Sequence, residues 1–289
     1  MHGRLAGQVA IVTGGTSGIG HQACLALARE GAAVVVVGRN SERLAAVVAE
    51  VESVGLANGF PRAALGLELN VCREEDMSEM VRQTQKRFGG IDILVASAGI
   101  LRGGDSRPTM LLEVTSQEWD LVVNTNLKGV FLSNRAVLQI MREQRSGQII
   151  NISSITGRRA VPFDTPYAAS KFGVIGLTEA LREEMRPYGV RVQVLLPGNT
   201  DTPIWSQNEP LPRAAQTIPA SRVANLIIFM LTWPQDSSLQ EVAIAPLRAK
   251  TKPAWLRGHL PRLRIKAPLP IKALPGRQAL PLTKEQVSF

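Results

Sequence analysis

The chain has 289 residues, of which 45% are hydrophobic and 20% charged, which is ordinary for a globular protein and enough for one large α/β domain. No apolar run approaches the roughly 18 residues of a membrane-spanning helix. A strand-like run begins too early for a signal peptide. With two cysteines and three scattered histidines, we expect neither a disulfide framework nor a metal site. The net charge of +9 is concentrated after residue 249, where nine basic residues accompany one acidic residue, so the body of the chain carries only +1.

Short apolar runs rich in β-branched residues alternate with amphipathic helical stretches. The predicted strands cover residues 8–13, 33–38, 64–69, 91–96, 148–153, 190–196 and 241–247. The predicted helices cover residues 18–30, 41–54, 73–88, 116–143, 166–187 and 220–232. Several strands are apolar throughout, which suits a parallel sheet buried on both faces. The alternation predicts an α/β fold: a doubly wound, mostly parallel seven-stranded sheet with helices on both faces, Rossmann-like in type.

A glycine-rich segment, Gly14-Gly15-Thr16-Ser17-Gly18-Ile19-Gly20, joins the first strand to the first helix. Glycines at such a joint allow a tight turn and a close approach of the backbone to a pyrophosphate, and free N–H groups at the helix start attract phosphate. The segment alone is either an ordinary glycine-rich turn or a phosphate-binding loop, and its position between a strand and a helix favours the loop. The predicted phosphate contacts are Gly14, Thr16, Ser17, Gly18, Ile19 and Gly20.

The second strand ends at Gly38 and is followed by Arg39, Asn40 and Ser41, without an acidic residue. Proteins that bind NAD tend to carry an acid there, which accepts hydrogen bonds from the ribose 2′-hydroxyl. Arg39 either pairs with the 2′-phosphate of NADP or merely begins the next helix in solvent. The first interpretation predicts NADP(H) as the cofactor, in preference to NAD(H).

Two polar residues further along have both a chemical and a structural explanation. Asn126 falls inside the predicted helix 116–143, and because asparagine is a mediocre helix former, it either kinks the helix or holds a water molecule. Ser154 follows the strand 148–153, and it either ends that strand or hydrogen bonds a substrate carbonyl at the edge of the sheet.

The segment Tyr167-Ala-Ala-Ser-Lys171 is the central motif of the chain. A spacing of four on a helix places Tyr167 and Lys171 on one face, with β-carbons about 5–6 Å apart. A free tyrosine has a pKa of about 10, and a nearby ammonium is expected to lower that pKa towards neutrality. Unless the spacing arose by chance, the motif therefore predicts an acid/base pair.

The last 40 residues differ from the rest because prolines interrupt every potential helix. We predict one domain over residues 1–249, followed by a proline-rich basic extension over residues 250–289. The extension is either a solvated, disordered segment, a contact to a neighbouring subunit, or an attachment to an anionic membrane surface. No nucleic-acid partner is expected, because aromatic residues for stacking on bases are too few there.

In order and spacing, these features resemble the short-chain dehydrogenase/reductase family over residues 5–247. The matching features are the glycine loop, Asn126-Leu-Lys-Gly, Ser154, Tyr167-x-x-x-Lys171 and Pro197-Gly198-Asn-Thr200-Asp-Thr202. The resemblance implies an NADP(H)-dependent oxidoreductase of the carbonyl reductase type, which transfers a hydride between the cofactor and a carbonyl or alcohol substrate. It also implies a cytoplasmic homo-oligomer.

The resemblance assigns roles to the site residues. It implies that Tyr167 is the general acid or base, that Lys171 lowers its pKa and binds the nicotinamide ribose, and that Ser154 orients the carbonyl. It implies that Asn126 holds a proton-relay water. The further cofactor contacts it implies are Asn70, Val71, Ser97, Ala98, Gly99, Pro197, Gly198, Thr200 and Thr202.

Three positions depart from the family's pattern. Ser97 stands in a segment where the family commonly has two asparagines that steady the sheet, and Asn70 stands where aspartate is common but can still accept a hydrogen bond. The last predicted strand leads into Pro246-Leu247-Arg248 instead of two glycines. Because that region often builds tetramer contacts, a homodimer is favoured over a homotetramer.

Apolar side chains near the motif predict a substrate with a hydrophobic portion. The predicted substrate contacts are Ser154, Phe163, Tyr167 and Trp205, although Phe163 and Trp205 are equally explained as core residues. Two other functions stay open: a non-catalytic dinucleotide-binding scaffold or sensor, and a peripheral membrane reductase anchored by the basic extension. A scaffold needs no acid/base relay, which argues against the first.

Overall fold

Seven parallel strands form the central sheet in the computed structural model of the protein, which describes residues 3–60, 64–103, 107–208 and 216–247. The strands of these residues are β1 (Val9–Thr13), β2 (Ala33–Gly38), β3 (Leu65–Glu68), β4 (Ile93–Ala96), β5 (Gly147–Ile152), β6 (Val190–Pro197), β7 (Thr200–Asp201), β8 (Ile218–Pro219) and β9 (Glu241–Ile244). The sheet order is β3-β2-β1-β4-β5-β6-β9, and every neighbouring pair is parallel. The short strands β7 and β8 pair with each other.

Helices cover both faces of the sheet. They are α1 (Gly18–Arg29), α2 (Ser41–Ala57), α3 (Glu74–Phe88), α4 (Ser116–Val123), α5 (Gly129–Gln144), α6 (Thr165–Met185) and α7 (Ala220–Leu231). One hydrophobic core contains side chains of α1, α2 and α7, and the other contains side chains of α3, α5 and α6. The sheet is therefore doubly wound, as predicted.

The continuous apolar runs of the central strands follow from these two cores. Along β1, Ala10 and Val12 belong to one core and Ile11 to the other, because successive side chains of a strand point to opposite faces. The same alternation divides the valines of β2, where Val34 belongs to the first core and Val35 to the second. A strand with two buried faces needs an apolar residue at every position.

The predicted α/β fold class is confirmed, and each predicted strand and helix overlaps an observed one. One expected feature is wrong: the predicted helix 116–143 is interrupted by a π-helical turn over Asn124–Lys128, which separates α4 from α5. The small strands β7 and β8 were not predicted. The extension 250–289 lies outside the described residues, as does the boundary at residue 249. No helix in the described part of the chain combines the length and apolarity needed to cross a membrane.

Candidate active site

The strand order reverses between β1 and β4, so the chain segments that leave these strands turn to opposite faces. A crevice at such a reversal, outside the carboxyl ends of the strands, is where open α/β sheets bind ligands. The predicted glycine loop follows β1 and reaches this crevice directly. The segment 97–103 follows β4 and forms the other side.

The glycine loop is built for close backbone contacts. Gly14 and Gly18 have φ angles of 66° and 54°, which favour glycine. A β-carbon on Gly14 would lie 2.6 Å from Cα of Ala98, and one on Gly20 would overlap the carbonyl oxygen of Gly14. The N-cap residue Ser17 makes no side-chain capping bond, so its hydroxyl does not occupy the N–H groups of the first turn of α1. This loop therefore fits a pyrophosphate group bound through backbone N–H groups.

The predicted adenosine side of the crevice lies where β2 and β3 end. Thr16 packs so closely on Gly38 that a β-carbon added to Gly38 would overlap the Thr16 side chain. Arg39 follows and is exposed, next to the start of α2, where the side chain of Asn40 caps the N–H of Arg43 at 2.8 Å. Since Asn40 is committed to capping, Arg39 is the residue at this strand end that fits a 2′-phosphate.

Asn70 and Val71 follow β3 in the positions predicted for adenine contacts. The Asn70 side-chain oxygen accepts a hydrogen bond from the N–H of Cys72 at 3.0 Å, and the N–H of Asn70 donates to Asp76 at 2.8 Å. Val71 is buried against Gly129, where a β-carbon would lie 2.7 Å from a Val71 methyl. Asn70 thus stabilises its own turn while keeping one lone pair of that oxygen for a further donor.

The segment after β6 approaches the glycine loop from the other side. The N–H of Gly198, which follows Pro197, donates to Ile244 at 2.7 Å, and Thr200 is buried with its hydroxyl donating to Gly198 at 2.9 Å. Thr202 lies so near Gly18 that a β-carbon added to Gly18 would be 3.0 Å from the Thr202 methyl. The predicted nicotinamide-binding residues therefore border the phosphate loop.

Asn126 is fully buried in the π-helical turn and binds the segment after β4. Its side-chain oxygen accepts from the N–H of Ile100 at 2.8 Å, and its amide donates to the carbonyl of Ile100 at 2.8 Å and to the hydroxyl of Ser170 at 3.1 Å. Single π-helical turns inside α-helices are rare and frequently occur at functional sites. Asn126 therefore lies at an irregular turn of the helix, and its role in holding a water molecule stays a prediction.

Ser154, Tyr167 and Lys171 converge at the carboxyl end of β5. The Ser154 side chain lies close enough to the Tyr167 phenol to oppose the rise of its pKa, and the Ser154 hydroxyl accepts from the N–H of Thr156 at 3.1 Å. The Lys171 ammonium is buried, donates to the carbonyl of Ile152 at 3.0 Å and lies 5.7 Å from the centre of the Tyr167 ring. The three side chains form one hydrogen-bonding and electrostatic group, which is the constellation predicted from the motif.

The protein environment changes the pKa values of both members of the motif. Burial raises the pKa of Tyr167 to about 12; the Ser154 hydroxyl opposes this rise, and the charge of Asp164 adds to it. Burial lowers the pKa of Lys171 to about 8. In the protein alone, desolvation of the phenol sets the direction of the shift, and the lowering of the Tyr167 pKa by Lys171 beside a bound cofactor stays a prediction.

The predicted substrate residues differ in their surroundings. Phe163 is 44% exposed and has a φ of 69°, so it is not a core residue and its backbone is strained. Trp205 is half-buried, and its indole N–H donates to the carbonyl of Thr200 at 2.8 Å. Among the residues that the structure describes, no group of His, Cys, Asp or Glu side chains is placed to hold a metal ion.

Four residues of the site were not predicted from the sequence. Ser153 and Ser170 hold the backbone of α6, since Ser153 donates to the carbonyl of Lys171 at 2.8 Å and Ser170 to that of Tyr167 at 2.7 Å. Ser170 lies inside the motif, which was a signal for its involvement. Arg102 and Asp164 form an ion pair near Tyr167, and nothing in the sequence links two residues 62 positions apart.

Comparison with known proteins identifies the group to which this arrangement belongs. The family model described as short chain dehydrogenase matches residues 8–211. A 3-oxoacyl-[acyl-carrier-protein] reductase FabG of Thermotoga maritima is 38% identical over 220 residues, which are 76% of this chain and 84% of the relative. A 3-oxoacyl-[acyl-carrier-protein] reductase of Synechocystis is 38% identical over 237 residues, covering 80% of this chain and 91% of the relative.

Solved structures agree with the sequence comparison. Levodione reductase matches with a TM-score of 0.74 and 31% identity, over 83% of this chain and 96% of that one. A single-substitution variant of actinorhodin polyketide ketoreductase with NADPH matches with a TM-score of 0.74 and 30% identity, over 85% of this chain and 98% of that one. With the family model, the relatives and the seven-stranded sheet in agreement, the chain belongs to the short-chain dehydrogenase/reductase family of oxidoreductases.

Proposed function

We propose that the protein uses NADP(H) to reduce a carbonyl compound or to oxidise the corresponding alcohol. The observation that carries this proposal is the convergence of Ser154, Tyr167 and the buried Lys171 at the carboxyl end of β5, at the end of a crevice that fits a dinucleotide. A protein that only binds a nucleotide has no need of such a relay. The relatives named as reductases of 3-oxoacyl groups and levodione support the same chemistry.

The residues of the chain supply the proton and the orientation, whereas NADP(H), when bound, supplies or accepts the hydride. With a pKa of about 12, Tyr167 keeps its proton at neutral pH, which is the form that donates to a carbonyl oxygen. The Ser154 hydroxyl holds the carbonyl oxygen beside the phenol. In alcohol oxidation the phenolate is needed, and Lys171 is the ammonium nearest the ring among the described residues.

Asn126 and the glycine loop complete the proposed mechanism. Asn126 holds the segment after β4 against α6 and is the residue beside which a proton-relay water would lie, because its turn departs from regular helical hydrogen bonding. The cofactor contacts proposed from the sequence stand as proposals at the same positions. The exposed Arg39, with no acid at the end of β2, supports NADP(H) over NAD(H), and the neighbour in complex with NADPH is consistent with it.

The substrate is proposed to contact Ser154, Phe163, Tyr167 and Trp205 and to carry an apolar group. A homodimer is proposed as the assembly, because α5 and α6 present the exposed aromatic side chains of Phe131 and Phe172, 40% and 44% exposed. Location in the cytoplasm and membrane attachment of the extension stay predictions from the sequence. Light scattering at known concentration tests the assembly.

The test of the function is the oxidation of NADPH followed by its absorbance, against ketones, quinones and β-ketoacyl thioesters. Turnover of at least one class is expected, and Tyr167→Phe is expected to reduce kcat by a factor of roughly 100 or more while the Kd for NADPH stays within twofold, because general acid catalysis contributes about this much. Lys86→Met, at an exposed position of α3, is the control for folding. Near-normal turnover of Tyr167→Phe would contradict the proposal.

A further inference from the structure

An ion pair that the proposed mechanism does not use joins two segments of the site. Arg102 lies in the segment after β4, and Asp164 is the N-cap residue of α6, three positions before Tyr167. Their side chains are only 9% and 16% exposed. The pair is therefore largely shielded from solvent, and the charge of its carboxylate acts on the Tyr167 phenol.

Burial acts against both charges. It raises the pKa of Asp164 and lowers the pKa of Arg102, and in each case their mutual attraction only partly opposes the effect of desolvation. A buried ion pair of this kind contributes little to stability compared with apolar side chains of similar size. A structural role alone therefore gives a poor account of this pair.

The Asp164 side chain does not form the hydrogen bond that is usual at an N-cap position. Aspartate at an N-cap usually accepts a hydrogen bond from an N–H of the first turn, yet the Asp164 side chain makes no capping bond to α6. Its carboxylate turns to Arg102 instead. The start of the helix that carries Tyr167 is thereby joined to the segment after β4.

The backbone of Arg102 is itself fixed on two sides. Asn126 binds both polar backbone groups of Ile100, and the side-chain oxygen of Gln207 accepts from the N–H of Leu101 at 2.8 Å and from the N–H of Arg102 at 3.0 Å. Gln207 belongs to a short helix, Pro203–Asn208, that follows Thr202. Arg102 therefore extends to Asp164 from a backbone that is held in place.

We propose that Arg102 and Asp164 are positioning residues for Tyr167: the ion pair fixes the start of α6 and neutralises the carboxylate beside the phenol that exchanges the proton. This inference rests on the proposed function of Tyr167. Among the described residues, the groups that act on the phenol are the Ser154 hydroxyl just after β5, Lys171 in α6, Asp164 at the N-cap of α6 and, through Asp164, Arg102 in the segment after β4.

The two partners affect the phenol in opposite directions. Asp164 disfavours the phenolate and raises the pKa of Tyr167, so loss of Arg102 leaves this effect uncompensated. Loss of the Asp164 charge removes this effect, and that favours the phenolate. A pair that only held two loops together would give both single variants the same defect.

The experiment compares R102M, D164N and the double variant in the full-length enzyme, measuring kcat/KM for the oxidation of the best alcohol against pH at saturating NADP⁺. The pKa that governs the profile is expected to rise by about one unit in R102M, fall by about one unit in D164N, and return close to the wild-type value in the double variant. R82M removes an exposed ion pair with Glu79 on α3 and serves as the matched control. Profiles that do not move, or that move in the same direction in both single variants, overturn the proposal.

A second measurement does not depend on turnover. The chain has two tyrosines, so a Y188F background leaves Tyr167 as the only phenol, and its ionisation can be followed by ultraviolet absorbance. D164N is nearly isosteric and is expected to lower the pKa of Tyr167 in this titration; an unchanged value overturns the proposal even where R102M does not fold. If instead Y167F keeps its turnover, the proposed function fails, whereas the titration still reports on the ion pair.

Discussion

Replacement of Lys171 by methionine is expected to stabilise the protein at neutral pH while it abolishes turnover. Lys171 is 5% exposed, and burial lowers its pKa from 10.5 to about 8. A difference of this size corresponds to roughly 3 kcal/mol of destabilisation at pH 7, since one unit is about 1.4 kcal/mol. Methionine also leaves the carbonyl of Ile152 without the hydrogen bond from Lys171, which costs about 1 kcal/mol. The net gain is therefore roughly 2 kcal/mol at pH 7.

The sign of the pH dependence identifies this mechanism. Between the folded pKa of about 8 and the ordinary value of 10.5, the unfolded chain binds more protons at this site than the folded chain, so the stability of the wild type rises with pH. The advantage of K171M should therefore shrink from roughly 2 kcal/mol at pH 7 to near zero at about pH 9.5. Urea unfolding at one protein concentration, at both pH values, measures it.

K86M, at an exposed position of α3, is the matched control and should show no such trend. A difference between wild type and K171M that is the same at pH 7 and pH 9.5 would refute the reasoning, because a cost of burying an ammonium must disappear when the ammonium loses its proton. A loss of stability at pH 7 would refute it as well. NADPH turnover measured on the same samples separates the gain in stability from the loss of function.

Three further substitutions test the other parts of the site. Arg39→Asp is expected to lower kcat/KM for NADPH by a factor of roughly 10 to 100 while that for NADH changes far less, with Lys86→Asp as the charge control; an unchanged ratio of the two values refutes the assignment of Arg39. Gly20→Ala forces a β-carbon onto the carbonyl oxygen of Gly14 and should cost about 1–3 kcal/mol of unfolding free energy and weaken NADPH binding, whereas Gly176→Ala in α6, with no atom within 4 Å of the added carbon, should not destabilise. Phe163→Gly removes the strain of a positive φ and should raise the unfolding free energy by about 1 kcal/mol while it raises KM for bulky ketones. Arg145→Gly, at a φ of 51° just before the amino end of β5, should leave KM unchanged.

The sequence predicted those features of the fold that depend on local patterns. The bounds of β2 were predicted to the residue, because a run of valines between Gly31 and Gly38 leaves a buried strand as the one explanation. The spacing of Tyr167 and Lys171 is equally local, since one turn of a helix brings them together. The π-helical turn was not predicted, because it accompanies the hydrogen bonds between Asn126 and Ile100, which are 26 residues apart.

The direction of the pKa shift of Tyr167 could not be derived from the motif either. A motif shows which charge lies nearby, but the exposure of the phenol depends on the packing of several segments around it. The ion pair of Arg102 with Asp164 has the same origin, since it joins segments that are adjacent only in the folded protein. Predictions that rest on burial therefore require the structure, whereas those that rest on spacing do not.

One segment after β4 connects the cofactor loop to the catalytic side chains. Ala98 contacts Gly14 of the phosphate loop, and a β-carbon on Gly99 would lie 3.3 Å from the Asn126 side-chain oxygen and 3.5 Å from the Lys171 ammonium. Three residues further on, Arg102 reaches the start of α6. Because these contacts follow one another along a short piece of chain, the glycine loop and the surroundings of Lys171 are packed against the same segment. The serine at position 97 leaves this connection intact, since its N–H still donates to Thr13 at 3.2 Å and the connection itself runs through the backbone.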